Sequence, residues 1–229
     1  MDFNALLSKS IQPLEAFSSC EIALPPQFAR AERAEKTGLL QLDNRFVSVG
    51  DLGQFRGLCI SSPKINIVSM FFFPKPHWQL PLFVMELVLL GSRPIVAMVD
   101  AVCLLSGMCC GDTVKAILER AHEAFSHLQQ ADDPPQWYVE CRSGHDFFVR
   151  PDNIVGMEEM ARVHLNVWGA VVDLFSDPRH FPRPQIAESE KRIQAYKEHH
   201  RVNSPGLRLM NRSFGERWTQ DYLCDYLFH

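Results

Sequence analysis

The densest apolar stretch of the chain runs from Ile65 to Val102. It reads INIVSMFFFPKPHWQLPLFVMELVLLGSRPIVAMVDAV, three β-branched and aromatic runs separated by the turn signals PKPHWQLP and GSRP. Runs of this kind between Pro and Gly punctuation predict strands buried on both faces. Upstream, LLQLDNRFVSVG and QFRGLCIS alternate as strands do, and Ser61-Ser62-Pro63 separates them from the central runs. Residues 2 to about 19 predict a helix ended by ALPPQF, and a mixed-charge segment, ARAERAEK, follows it. The period changes after Asp112. Val114, Ile117, Leu118, Ala121, Phe125 and Leu128 fall on one helical face, with Asp112 as the expected N-cap. ADDPPQW predicts a loop and DFFVRP a short strand stopped by Pro151. Three more helices are predicted, over MEEMARVHLNVWGAVVDLF, AESEKRIQAYKEHH and FGERWTQDYLCDYLF, separated by SDPRHFPRPQ and by the loop RVNSPG. Strands come first, joined by hairpin-like turns, and helices later. The expected class is α+β, an antiparallel sheet covered by helices.

Composition narrows the function. Of 229 residues, 46% are hydrophobic and 22% charged, as in ordinary globular proteins. A formal charge of −4 lacks the basic footprint of nucleic-acid binding. No apolar run reaches membrane-spanning length and the N-terminus has no export pattern, so a cytoplasmic protein is expected, with neither nucleic acid nor membrane as partner. The seven cysteines (Cys20, Cys59, Cys103, Cys109, Cys110, Cys141 and Cys224) form no CxxC pair and read as reduced thiols. With the nine histidines also dispersed, no metal site is expected. GxGxxG, P-loop and GxSxG motifs are all absent, which removes the usual signals for nicotinamide, flavin or nucleotide phosphate and for serine hydrolysis.

Two carboxylates remain inside the buried runs, Glu86 in LFVMELVLL and Asp100 in IVAMVDAV. An unpartnered carboxylate there costs several kcal/mol to ionise and tends to keep its proton. A carboxylic acid neutral at pH 7 is a proton donor. The competing reading is a structural hydrogen-bonder. Whether the two acids share a face depends on the turn around Ser92 and Arg93, because a slip of one residue reverses it.

Four segments in order resemble the ferredoxin-dependent bilin reductases: MFFFPKPHWQLPLFVMELV, IVAMVDAV, SGHDFFVRP and NSPGLRLMNRSFGERWTQDYLCDYLF. The resemblance covers residues from about 38 to 228. It implies one domain, 1–229, folded as a three-layer α/β/α sandwich around an antiparallel sheet. An open-chain tetrapyrrole such as biliverdin would lie between the sheet and the C-terminal helices. It also implies no bound cofactor and no metal. Electrons would arrive singly from reduced ferredoxin (or flavodoxin), while the protein, expected as a monomer, supplies protons to bilin radicals.

By the same resemblance, Glu86 occupies the place of the family's proton-donating aspartate, with one methylene more. Related red chlorophyll catabolite reductases carry Glu there, which makes a chlorophyll-derived substrate the rival. Ser69 stands where the phycocyanobilin-forming branch has a histidine, and serine cannot relay protons as imidazole does near pH 7. Asn203 and Ser204 match an Asn-Asp or Asp-Asp pair, and Ser204 replaces an aspartate associated with A-ring reduction. One competent acid then implies a two-electron reduction to 15,16-dihydrobiliverdin, unless Asp100 or a water substitutes. The alternatives are a four-electron reductase giving phycoerythrobilin and a non-catalytic bilin carrier. A ligand-free interaction protein is disfavoured by two buried strand acids. Arg150 and, more weakly, Arg208 are the expected propionate partners. Phe83 is an expected substrate contact, and Lys75, Arg93 and Arg217 could form a basic rim for ferredoxin.

Overall fold

The structure, a computed structural model, describes residues 1–36, 38–105 and 109–229. Its centre is a five-strand antiparallel meander: β3 (Gly38–Val49), β4 (Gly53–Ser61), β5 (Ile65–Pro74), β6 (Leu82–Leu90) and β7 (Arg93–Val102). The short β8 (Phe147–Val149) extends it beyond β7. At the other edge, β1 (Ser19–Glu21) and β2 (Arg30–Glu35) pair with successive parts of β3. The segment ARAERAEK, expected only as a charged connection, is therefore largely edge strand β2. Its charged alternation suits an edge, where an apolar strand would invite pairing with another chain.

Side chains alternate between two separate cores, one on each face. On the first face, α1 (Phe3–Ile11), α3 (Cys109–Ala124) and α5 (Ile154–Asp173) cover Val68, Met70, Phe72, Phe83, Met85 and Val99. Gly57 lets α1 come close, since a Cβ there would stand 2.2 Å from Leu7 Cδ1. On the second face, the short α2 (Pro26–Ala29) and α4 (Gln136–Val139), together with α6 (Arg183–Asn203), α7 (Gly206–Phe214) and α8 (Glu216–Tyr222), cover Leu58, Phe71, Phe73, Val84 and Met98. The chain is thus α+β in three layers, with the sheet in the middle.

Local departures from expectation have local causes. The first helix gives way to a tighter 3₁₀ segment, Gln12–Phe17, where Pro13 cannot continue α geometry. Asp112 lies in the first turn of α3, which begins at Cys109, instead of capping it. The side chains of Cys109 and Cys110 lie outside the described residues. The expected C-terminal helix begins only after Gly215, whose φ of 92° no ordinary residue adopts easily, and the preceding GLRLMNRSF forms a helix of its own, α7, that was not expected. After α8 the chain widens into a π-turn over Leu223–Leu227.

His164 of α5 is fully buried on the first face, with Nε2 2.7 Å from Ser10 Oγ. Ser10 Oγ itself donates to Leu6 O, so the ring holds its proton on Nε2, and Nδ1 has no partner among the described residues. Burial lowers its pKa from 6.5 to about 3. The neutral ring's contribution is fully present above the unfolded value and is lost as pH falls toward the folded one. Urea unfolding between about pH 7 and 4 should therefore show a shallower fall in stability for His164→Gln than for wild type, by up to ~1.4 kcal/mol per pH unit. Parallel curves would contradict a buried neutral imidazole.

Candidate active site

Register settles the question of faces. Ser69 on β5 lies directly opposite Glu86 on β6, Glu86 lies opposite Met98 on β7, and Val84 lies opposite Asp100. Both acids therefore point to the second face, on neighbouring strands and diagonal to each other. Between this face and the C-terminal helices is a cavity of about 300 Å³. Its floor includes Leu58, Ile67, Ser69, Phe71, Glu86 and Val96, and its roof includes Ser204, Leu209, Met210, Leu227 and Phe228. Glu86 is the one ionisable side chain lining it among the described residues.

Ser69 Oγ donates to Glu86 Oε2 at 2.8 Å, and Oε1 has no hydrogen-bond partner among the described residues. Burial raises the Glu86 pKa, and the Ser69 bond opposes the rise by stabilising the carboxylate. Glu86 is half-buried in exposure, consistent with a group open to a cavity whose walls are otherwise almost wholly apolar.

Asp100 is held differently. It is fully buried, lies outside the cavity lining, and accepts from Ser143 N at 2.8 Å, Ser143 Oγ at 2.5 Å and Ala101 N at 2.8 Å. Burial pushes its pKa up to about 7. The Ser143 bonds pull down, and nearby Asp146, which accepts from Tyr138 Oη at 2.8 Å, pushes up. Tyr196, on α6, is buried near both acids: its pKa rises through burial first and then through the charges of Cys141, Asp100 and Glu86. His200, one turn on, packs on Tyr196 at 4.5 Å and edge-on to Phe71 at 5.8 Å, with Nε2 3.7 Å from Cys141 Sγ. Burial, then the neighbouring His199, lowers its pKa to about 3. Neither residue is among the site residues expected from the sequence, although Ile193, Tyr196, Lys197 and His200 carry a helical i, i+3, i+4, i+7 stripe.

The remaining expected residues divide. Ser204 lines the roof, at the end of α6. Asn203 turns away, its amide donating to His199 O at 3.0 Å. Phe83 is corrected outright: strand alternation puts it on the first face, fully buried with its ring 4.8 Å from Trp168. Arg208 is exposed on α7, whose Leu209 and Met210 take the inward positions. Arg150 does not line the cavity. Ala97 pairs with Val149, so Arg150 follows at the level of the cavity residue Val96, one strand nearer the sheet edge, where its guanidinium pairs with Asp133. It opens on a larger groove of about 690 Å³, where it pairs with Asp133 and where Asp132 and Asp152 are exposed, so no fully buried acid faces the groove among the described residues. Lys75 pairs with Asp51, and Arg93 and Arg217 are exposed. Among the described residues no three His, Cys, Asp or Glu side chains gather as metal ligands, and no helix is long and apolar enough to cross a membrane.

Comparison with known proteins places the chain in a family. The family model for ferredoxin-dependent bilin reductases matches residues 8–229. The chain belongs to that family. It is an oxidoreductase. It is 24% identical to a phycocyanobilin:ferredoxin oxidoreductase of Trichodesmium erythraeum (strain IMS101), over 98% of this chain and 93% of the relative. The fold matches tomato phytochromobilin synthase crystallised with biliverdin, at a TM-score of 0.82 and 16% identity over 99% of this chain and 83% of the other. PcyX superposes with a TM-score of 0.59 and 13% identity, over 99% and 98% of the two chains.

In this reductase, Ser69→Ala removes the donor that favours the Glu86 carboxylate. A ¹³C-carboxyl NMR titration should then place the Glu86 midpoint higher than in wild type, at a stability cost of about 1 kcal/mol. An unchanged or lower midpoint would contradict the assigned pair.

Proposed function

We propose that this enzyme reduces biliverdin by two electrons, delivered one at a time by reduced ferredoxin or flavodoxin, to 15,16-dihydrobiliverdin. The single observation that carries this reading is that Glu86 is the one ionisable group on the cavity wall among the described residues. Two electrons and two protons add across one double bond. Each electron makes the bilin more basic, and Glu86, with Oε2 occupied by Ser69, donates from Oε1 and is then reprotonated. Ser69 and Ser204 supply hydroxyls where the other branches place imidazole and carboxylate, so the cavity wall itself holds one competent acid. The apolar walls exclude water from the radical and raise the acid's pKa. The tomato relative's bound biliverdin supports the choice of substrate.

The propionates lie at the β8 edge in this reading, where Arg150 exchanges its exposed ion pair with Asp133 for a substrate carboxylate. One observation favours a second reading, a four-electron reaction: Tyr196 sits close to both Glu86 and Asp100 and could relay protons from the second acid.

Glu86→Gln should bind biliverdin with wild-type affinity in an anaerobic spectral titration while turnover falls about 10²–10⁴-fold. Normal turnover would remove Glu86 from the mechanism. Arg150→Met should weaken biliverdin binding roughly tenfold or more without changing the affinity for its dimethyl ester, and equal losses for both would rule out the carboxylate contact.

A further inference from the structure

The second face carries a cation that the cavity does not use. Arg56, two residues before the cavity residue Leu58 on β4, is 1% exposed. Its Nη2 donates to Gln54 Oε1 at 2.5 Å, while Nε and Nη1 have no hydrogen-bond partner among the described residues. The guanidinium lies 4.7 Å from the ring centre of Phe46, 5.8 Å from Phe73 and 5.9 Å from Tyr226. Aromatic faces attract a cation but do not replace the oxygen acceptors its N–H groups need. A buried guanidinium with idle donors is costly unless an anion completes it.

Lys197 of α6 stands over the same Phe73 ring at 4.8 Å, is 6% exposed, and donates to His229 O. Arg201, one turn on, has Nε 3.1 Å from Glu198 Oε2, at the exposed end of the group. Burial, then the positive charges of Arg56 and Arg201, lowers the Lys197 pKa to about 8. Burial lowers that of Arg56 to about 10, so its guanidinium stays charged at neutral pH. A pocket of about 160 Å³ is lined by Gln54, Phe73 and Lys197, with Lys75 and Glu190 also on its wall; Arg56 is not part of that lining but is hydrogen-bonded to Gln54, which is.

We propose that Arg56 and Lys197 form a binding site for a small anion, a carboxylate or a phosphate, entered beside Gln54 and separate from the bilin cavity. The anion would accept from the idle Arg56 donors and offset the repulsion between the two cations. The competing account is a structural arginine satisfied by Gln54 and three aromatic rings. Nothing in the proposal depends on the bilin reaction, so the two fail separately.

The test is thermal unfolding and calorimetric titration of the whole chain with inorganic phosphate or succinate, against chloride at matched ionic strength. Either anion should raise the unfolding temperature of wild type beyond chloride, and Lys197→Met should weaken its Kd more than tenfold. A response to phosphate alone or to succinate alone identifies which source the site takes. Gln54→Glu sets a fixed carboxylate beside Arg56, so it should raise the unfolding temperature without added anion and abolish the anion response. This variant decides the matter even if Lys197→Met does not fold. No response beyond chloride in wild type, a response that survives in Gln54→Glu, or a lower unfolding temperature for Gln54→Glu would overturn the proposal.

Discussion

The site depends on the desolvation of one carboxyl group in the middle of an antiparallel sheet. Glu86 lies where β5 and β6 pair, with Ser69 directly across from it and an apolar cavity above. Burial and the Ser69 bond act on its proton in opposite directions, and burial is the larger effect. Were the cavity wet, the acid's pKa would fall back toward its ordinary value, and a cation in place of the serine would lower it further. The apolar walls are thus part of the chemistry, and the cores on either face hold them in place.

Those two cores have different tasks. The first face, filled by α1, α3 and α5, fixes the sheet; Phe83 packed on Trp168 and His164 bonded to Ser10 belong to it. The second face is roofed by helices joined through Ser204–Gly206 and Gly215, the latter at positive φ. Phe71 and Phe228 line the cavity and pack with Tyr196 and His200, while Asp100 lies outside the lining and keeps its Ser143 bonds. Two acids on one face are therefore held in unlike ways, one facing the cavity and one tied to the backbone.

Much of the sheet was legible because its strands carry strong signals: the apolar runs of β5 to β7 and the Gly and Pro breaks between them. The edge strand β2 was not, since alternating Arg, Ala and Glu lacks the apolar face by which strands are recognised. Glu86 stood out as a charge among apolar residues, but that it shares a face with Asp100 depended on register, which pattern alone does not fix. Phe83 was misplaced for the same reason, as one step along β6 leads to the opposite core. Arg150 was recognisable as a motif residue, but its pairing with Asp133 is a tertiary contact between segments 17 residues apart. Tyr196 and His200 lie on a readable helical stripe, but the stretch around them is so highly charged that it reads as a solvated face.

The central claim is that Glu86 holds its proton at neutral pH with a bilin beside it. Infrared difference spectroscopy of the anaerobic biliverdin complex at pH 7, with and without ¹³C-labelled glutamate, tests it most directly. The account predicts a protonated-carboxyl C=O band that shifts with the label and disappears in Glu86→Gln. A carboxylate band alone at that position, with no protonated component, would contradict it.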